Sequence, residues 1–257
     1  MILIVVAHPD DEVLWFAGGI RSLLQWGNSI CVMSLTNSSN PVRKAEFEKA
    51  CSKMGVFPIM ADLPDGAVSE WEDPLKAMDQ AISIAEISVE KISIVITHSP
   101  FGNERQHPQH FRASEATEEW ASYNSKEVAF FSEFLINNVS SKFDPRNEES
   151  AALGEQHDFS FLTFLRNYPR IITMQKGNTV VKLKSIAHIL SIFKKFKRLK
   201  IYNQVVRFRI DLKWRSEIVD CYQSQSDGLR SYSAFSSNYD YLYIKGASLA
   251  KLRYNKI

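Results

Sequence analysis

Two short stretches of the chain place histidine and carboxylate side chains at the spacing of a metal-dependent active centre. The first is Ala7-His8-Pro9-Asp10-Asp11-Glu12, and the second, which is predicted to end a loop, is Gln106-His107-Pro108-Gln109-His110. Two imidazoles and one carboxylate on one side of an ion leave coordination positions open, which suits a catalytic divalent metal, most often zinc. His8, Asp11 and His110 are therefore predicted to be the metal ligands.

The residues beside these ligands are candidates for the proton transfers. A catalytic metal lowers the pKa of the water that it binds to about 7, which turns that water into a usable nucleophile. Asp10 is adjacent to a ligand and points elsewhere, so it is placed to take a proton from the water. His107 comes three residues before His110 and is a candidate for a cationic or proton-donating group across the metal. For either stretch alone, an ordinary histidine or an Asp-Asp helix cap is the competing interpretation.

The hydrophobic pattern of the first hundred residues explains how two distant stretches can meet. Apolar runs typical of buried strands occur at Ile2–Ala7, Ser29–Leu35, Pro58–Leu63 and Ile92–Thr97, and helical patterns lie between them at Glu12–Trp26, Arg43–Met54 and Pro74–Glu90. This alternation predicts an α/β, Rossmann-like fold with a mostly parallel sheet and helices on both faces. Such sheets bind ligands beyond the carboxyl ends of their strands, so the residues after Ala7 and Thr97 should meet at one edge.

Charge is distributed unevenly along the chain, although the formal net charge is only +2. Residues 1–165 carry 12 Lys and Arg against 24 Asp and Glu, whereas residues 166–215 carry 14 against one. We expect residues 1–165 to form a Rossmann-like metal-dependent core, and the basic C-terminal part 166–257 to complete the same domain as an appendage. Further strands are predicted at Ile171–Met174 and Val205–Ile210, followed by a helix at 212–223.

Residues 182–200 combine lysines and an arginine with an apolar stripe at helical spacing. The stripe consists of Ile186, Ile189, Leu190, Phe193 and Phe196. Basic flanks and an aromatic apolar face are typical of an interfacial helix on an anionic membrane surface. The competing interpretation is a helix that packs this stripe against the domain while its lysines face solvent. Nucleic-acid binding is not expected, because no nucleic-acid motif accompanies the charge.

The composition and the cysteine and glycine positions argue against several other classes of protein. A chain with 45% hydrophobic and 23% charged residues is typical of a folded soluble protein. Three scattered cysteines without a CxxC pair do not build a disulfide scaffold. The apolar run Ile2–Ala7 is far shorter than the ~18–20 residues of a membrane span and lacks signal-peptide flanks. A nucleotide-binding Rossmann protein is disfavoured because Gly18 and Gly19 lie inside the first helix.

AHPDDE after an N-terminal strand, paired with a downstream H-x-x-H, resembles the PIG-L/LmbE-like zinc-dependent N-acetylglucosamine de-N-acetylases. The resemblance is close over residues 1–120 and faint over residues 205–228. It implies a Rossmann-like fold, bound Zn²⁺ or another divalent metal, and removal of acetyl from N-acetylglucosamine-type groups. It also implies roles for five residues: His8, Asp11 and His110 as ligands, Asp10 as general base, and His107 as the group that stabilises the tetrahedral oxyanion or assists amine departure.

Three weaker matches extend this resemblance toward substrate binding. Arg43 and Glu46 form an R-x-x-E pair where the family often has an arginine that reaches the sugar. Asp65-Gly66 resembles the family's D-G turn, whose carboxylate can contact hydroxyl groups, and Ser224-Gln225 resembles the end of its late helix. We assign Arg43, Asp65 and His98 to substrate binding. The competing interpretations are a solvated helix charge for Arg43 and an ordinary turn at Asp65.

Gln109 departs from the family pattern, because many members have aspartate at this position. An amide cannot supply the negative charge that raises the basicity of a neighbouring imidazole, so the resemblance supports His110 as ligand more strongly than His107 as acid. The expected function is a hydrolase that removes acetyl from an N-acetylated amino sugar in a glycoconjugate, polysaccharide or glycolipid precursor. The alternative is a non-catalytic sugar- or membrane-binding module that retained the fold. We expect a cytoplasmic protein, held at the inner face of the membrane if residues 182–200 bind lipid.

Overall fold

The computed structural model describes residues 1–66, 71–100, 107–131, 204–231, 239–244 and 251–252. Its strands are β1 (Ile2–Val6), β2 (Ile30–Thr36), β3 (Phe57–Leu63), β4 (Ile94–His98), β5 (Glu127–Phe131), β6 (Gln204–Arg209) and β7 (Tyr239–Ile244). Its helices are α1 (Asp11–Gln25), α2 (Pro41–Met54), α3 (Pro74–Ile84), α4 (Pro108–Tyr123), α5 (Leu212–Val219) and α6 (Ser226–Arg230). Strand and helix alternate from β1 to β5, as the hydrophobic pattern predicts.

The seven strands form one sheet in the order β3-β2-β1-β4-β5-β7-β6. The pairs from β3 to β5 are all parallel, whereas β7 runs antiparallel to both β5 and β6. The strand order reverses between β1 and β4, which is the position where open α/β sheets bind ligands. The predicted mostly parallel sheet is therefore confirmed. Beyond β5, the strands β7 and β6 extend it through antiparallel pairs.

The side chains of β1 alternate between two hydrophobic layers. Ile2, Ile4 and Val6 pack in one layer with residues of α1 and α2, and Leu3 and Val5 pack in the other with residues of α3 and α4. Every residue of β1 is buried because both faces of the strand are covered. The predicted helices on both faces of the sheet are confirmed.

Two predicted elements differ from the observed ones. The third helix ends at Ile84 rather than at Glu90, because Glu86 adopts a left-handed φ of 54° that an α-helix does not accommodate. The H-x-x-H segment was expected to end a loop, but it opens helix α4. Pro108 is the first residue of that helix, where a proline costs no hydrogen bond and its fixed φ suits the helix.

The described residues of the C-terminal part join the same sheet. The strand predicted at Val205–Ile210 is β6, and the helix predicted at 212–223 is α5, which ends earlier, at Val219. The strand predicted at Ile171–Met174 and the basic segment 182–200 lie outside the described residues. Among the helices that the structure describes, none has the length and apolar character needed to cross a bilayer.

A buried ion pair connects this C-terminal part to α1. The Asp240 carboxylate on β7 pairs with Arg215 on α5, and both side chains are almost completely buried. Asp240 also accepts a hydrogen bond from the Gly18 N–H at 2.6 Å, just after the point where Phe16 breaks the helical conformation of α1. A Cβ atom on Gly18 would lie 3.0 Å from this carboxylate and 3.0 Å from Ile210 Cβ, so glycine permits the close approach.

Candidate metal centre

The carboxyl ends of β1 and β4 bring the two histidine-bearing stretches together. His8 comes two residues after β1, His98 is the last residue of β4, and His107 and His110 lie at the beginning of α4. The backbone N–H of Ala7 donates to Nε2 of His98 at 2.9 Å, which joins the two strand ends directly. The predicted edge of the sheet therefore carries four imidazoles.

Asp11 lies at the centre of this group. Its carboxylate is 3.3 Å from Nδ1 of His8, 3.3 Å from Nε2 of His110 and 3.5 Å from Nε2 of His98. Burial alone would raise the pKa of Asp11, but the charge and hydrogen bonding of His110, together with the hydrogen bond from His8, hold that pKa well below its usual range. Asp11 is therefore a carboxylate anion surrounded by nitrogen atoms.

Two overlapping sets of side chains have the donor spacing of a metal site. His8, His107 and His110 form one set and Asp11, His98 and His110 form the other, with the donor atoms within 4.8 Å of one another in each. The predicted ligands are divided between the two sets. His8 belongs to the first set, Asp11 belongs to the second, and His110 belongs to both. Imidazoles with one carboxylate, nearly all buried, are a donor set that fits a divalent transition-metal ion.

The hydrogen bond to His98 distinguishes the candidate ligands. Because the Ala7 N–H donates to Nε2 of His98, the lone pair of that nitrogen is already engaged. Nδ1 of His8 instead faces the Asp11 carboxylate, which also accepts from the His8 backbone N–H at 2.9 Å. His8 is therefore better placed than His98 to coordinate a metal ion together with Asp11 and His110.

His107 occupies a different electrostatic position from His8. Burial, followed by the neighbouring charges of His110 and His8, lowers the pKa of His107 to about 4. Burial also opposes protonation of His8, but its hydrogen bonds to Asp11 and Asp65 outweigh that effect and raise its pKa well above the usual value. The ring centroids of the two histidines are 4.8 Å apart, so His107 stands beside the candidate ligands as a neutral imidazole.

Asp10 is held in an uncommon backbone conformation next to the centre. Its φ is 130°, a value in the range that favours glycine and that is costly for other residues. Arg43 donates a 2.8 Å hydrogen bond to the Asp10 carboxylate and a further one to the carbonyl oxygen of Pro9. Burial, followed by the charge of Asp11, raises the pKa of Asp10 to about 6 against the opposing effect of Arg43. Such strain is concentrated at functional sites.

Comparison with known proteins places this centre inside a recognised family region. Residues 3–121 match the family described as PIG-L: GlcNAc-PI de-N-acetylase. We call residues 3–121 the PIG-L domain, after the family that they match. All the histidines and aspartates of the centre lie within it.

Two relatives illustrate what the PIG-L domain is similar to. The N-acetylglucosaminyl-phosphatidylinositol de-N-acetylase of Bos taurus is 28% identical over 110 residues, which cover 39% of this chain and 42% of the relative. The chain therefore matches less than half the length of that curated relative. The crystal structure of the antimicrobial reagent A40926 pseudoaglycone deacetylase is 11% identical with a TM-score of 0.50, over 95% of this chain and 96% of that chain. This second likeness shows a shared fold.

The residues assigned to substrate binding lie at three different depths around the PIG-L centre. His98 is fully buried, and its ring lies 4.2 Å from that of His110. Arg43 is only 9% exposed, so it is not a solvated helix charge. The Asp65 side chain is 47% exposed, lies 3.5 Å from Nε2 of His8 and accepts a 2.8 Å hydrogen bond from Asn37. Of the three, Asp65 has the exposure that a contact with a sugar hydroxyl requires.

Residues from the C-terminal part support the PIG-L domain in a way that the sequence analysis missed. Tyr222 donates a 2.5 Å hydrogen bond to Glu12, whose pKa burial raises to about 8. The Glu46 carboxylate accepts from the backbone N–H and the hydroxyl of Ser224, at 2.7 and 2.6 Å. The motif residues Glu12, Glu46 and Ser224 were visible in the sequence, but nothing in it indicated which of them would contact each other.

Gln109 is the other residue whose contacts the sequence analysis did not predict. Its side-chain oxygen lies 2.6 Å from Nε2 of His8, and its side-chain nitrogen donates to the carbonyl oxygen of Pro64 at 2.8 Å. Gln109 is fully buried in the first turn of α4, against the loop after β3. The sequence signal for this residue is its departure from the family pattern, in which many members have aspartate at this position.

Proposed function

We propose that the PIG-L domain is a zinc-dependent hydrolase that removes acetyl from an N-acetylated amino sugar. The observation that carries the proposal is the Asp11 carboxylate surrounded by imidazoles, with Asp10 directly beside it, at the edge where β1 meets β4. The whole arrangement lies within the residues that match the family. The environments of Asp10 and Asp11 shift the pKa values of the two carboxyl groups in opposite directions. Such a pair is typical of a metal ligand beside a proton-transfer group.

His8, Asp11 and His110 are the proposed metal ligands. The bond from Ala7 to His98 supports this choice, because it engages the His98 nitrogen that points toward Asp11. A zinc ion held by these residues would supply Lewis acidity to the amide carbonyl and to the attacking water. Among the three proposed ligands, the His8 side chain is the most exposed, at 11% against 4% for Asp11 and 3% for His110, so the centre meets solvent on the His8 side.

Asp10 is the proposed general base, and Arg43 orients it. Asp10 accepts the proton of the attacking water and passes it to the departing amine, so that acetate and a free amino group leave. Arg43 fixes one carboxylate oxygen at 2.8 Å, which leaves the other oxygen for the water. His107 donates a hydrogen bond to the oxyanion that develops on the amide carbonyl. Both roles require a side chain held in place before the substrate arrives.

The proposed substrate is an N-acetylglucosamine-type sugar carried on a glycoconjugate, polysaccharide or glycolipid precursor. Support comes from the curated relative, whose name specifies N-acetylglucosaminyl-phosphatidylinositol. Asp65, exposed at the rim of the centre, is the proposed acceptor for a sugar hydroxyl, with His98 completing the buried wall. We also propose that residues 1–165 and 166–257 form one domain. The proposed location of the protein is the cytoplasm.

Acetate release tests this function directly. The purified protein is incubated with a panel of N-acetylhexosamine conjugates after zinc loading, and in parallel after treatment with a chelator. We expect release of acetate from at least one N-acetylglucosamine conjugate, loss of release with chelator, and recovery when zinc is restored. Zinc binding without turnover across the panel would instead support the non-catalytic sugar- or membrane-binding module, the alternative that Gln109 favours.

We further propose that residues 182–200 bring the centre to a lipid-anchored sugar. Replacing Lys194, Lys195, Lys197 and Arg198 with glutamine should abolish sedimentation with anionic vesicles, because each basic residue near such a surface contributes about 1 kcal/mol. High salt should have the same effect on the parent protein, since it screens surface charge. Acetate release from a short water-soluble substrate is the control and should persist. Vesicle binding that survives all four substitutions would contradict the membrane role.

A further inference from the structure

The two ring nitrogens of His8 face chemically different partners. Nδ1 faces the Asp11 carboxylate at 3.3 Å, and Nε2 of His110 lies 3.3 Å from the other oxygen of the same carboxylate. Nε2 lies 2.6 Å from the side-chain oxygen of Gln109 and 3.5 Å from the carboxylate of Asp65. A neutral imidazole carries its single proton on only one of these nitrogens, so the partners decide which nitrogen has the lone pair.

The orientation of the Gln109 amide is determined by its other hydrogen bonds. Its nitrogen lies 2.8 Å from the carbonyl oxygen of Pro64, which can only accept a hydrogen bond. The backbone N–H of Gly66 also points at the amide oxygen, at 3.4 Å. An amide turned the other way would place two oxygens together and two donors together. The atom that faces His8 is therefore the oxygen, which is an acceptor.

We propose that Gln109 is a positioning residue that keeps the proton of His8 on Nε2 and so leaves the lone pair of Nδ1 available to a metal ion that Asp11 would also bind. The inference rests on the proposed function, because it concerns the nitrogen that His8 offers to the metal. Histidine ligands generally donate their other ring N–H to a carboxylate or carbonyl group, which fixes both the tautomer and the ring orientation. Gln109 supplies that carbonyl.

The position of Gln109 on α4 gives this contact a second consequence. Gln109 immediately precedes His110 in the first turn of the helix, so one turn carries a proposed ligand and the acceptor that orients another. Its bond to Pro64 also ties that turn to the loop bearing Asp65, which is the second acceptor near Nε2. Many members of the family have aspartate at position 109. The Gln109 amide takes the place of that carboxylate as the partner of the His8 imidazole, and it adds no further negative charge to the buried centre.

Nuclear magnetic resonance of the zinc-loaded full chain tests the assignment without any variant. Correlations between ring protons and ring nitrogens of ¹⁵N-labelled histidine identify the tautomer of each imidazole. We expect His8 to bind zinc through Nδ1 and to carry a slowly exchanging proton on Nε2. A His8 that binds through Nε2, or that has no proton on Nε2, overturns the inference.

Zinc affinity measured by competition with a chromophoric chelator provides the second test. Gln109→Met keeps the length of the side chain but removes the acceptor, and we expect a ~10–100-fold loss of affinity, the usual effect of removing such a partner. Gln109→Glu restores an acceptor oxygen and should recover most of the loss, although it gives up the bond to Pro64. Thr117→Val is the matched control, because Thr117 is equally buried on α4 and bonds Thr97 rather than His8.

The outcomes separate this inference from the proposed function. A parent protein that binds no zinc overturns the proposed function and, with it, the role of Gln109. A parent that binds zinc while Gln109→Met binds it equally well overturns the role of Gln109 alone. A similar loss in Thr117→Val would show that affinity responds to general damage in α4, which also contradicts a specific role for Gln109.

Discussion

Asp10→Asn should lower the rate of acetate release by ~10²–10⁴-fold, the usual contribution of a positioned general base, without reducing the amount of bound zinc. Asparagine tolerates the positive φ of residue 10 nearly as well as aspartate does, so the backbone should stay in place. The amide oxygen can still accept the hydrogen bond of Arg43. The variant therefore removes the basic oxygen and little else. Turnover is measured by acetate release and zinc content by elemental analysis.

Asp11→Asn is the matched comparison for this prediction. Asp11 is the next residue, is also buried and would likewise become an asparagine. Its carboxylate, however, contacts the candidate ligands His8 and His110. We expect this variant to lose much of its zinc as well as its turnover, because a neutral amide is a much weaker ligand than a carboxylate. Equal loss of zinc from both variants would mean that the roles of the two aspartates are misassigned.

Asp240→Asn should lower the free energy of unfolding by ~3–5 kcal/mol, as expected when one partner of a buried ion pair is removed. Arg215 is completely buried against Asp240, and a guanidinium group cannot lose its charge by deprotonation. The asparagine oxygen can still accept from Gly18, so the change isolates the unpaired charge. Unfolding in urea, followed by circular dichroism, measures the effect.

Two further variants test the physical explanation of this destabilisation. Asp220→Asn removes the partner of Arg230, with which Asp220 forms a 2.5 Å ion pair on the surface, and should cost no more than ~1 kcal/mol because the pair is exposed. The double variant Arg215→Met with Asp240→Asn should recover part of the loss, because it no longer buries an unpaired charge. A single Asp240→Asn variant as stable as Asp220→Asn would contradict a stabilising role for the buried pair.

The order of strands and helices, and the meeting of the two histidine-bearing stretches, could be predicted from the sequence. Apolar periodicity is a local property, so Ile2–Ala7 and Ile92–Thr97 identify buried strands without knowledge of their neighbours. Parallel strands joined by helices must have their carboxyl ends at one edge, which brings His8 and His110 to the same side of the sheet. The histidine and aspartates of AHPDDE then favour a metal site at that edge.

The tertiary structure decided which polar side chains contact each other. Glu12 and Tyr222 are 210 positions apart, and Gln109 and His8 are 101 positions apart. Such contacts depend on the paths of several chain segments and on side-chain rotamers, which no local pattern encodes. For the same reason, nothing in the sequence indicated that Arg43, which the family resemblance assigns to substrate binding, donates a hydrogen bond to Asp10. The sequence alone thus determined the elements and the chemistry available at their ends, and tertiary packing decided the partners, because a hydrogen bond requires two groups to be placed within a few tenths of an ångström.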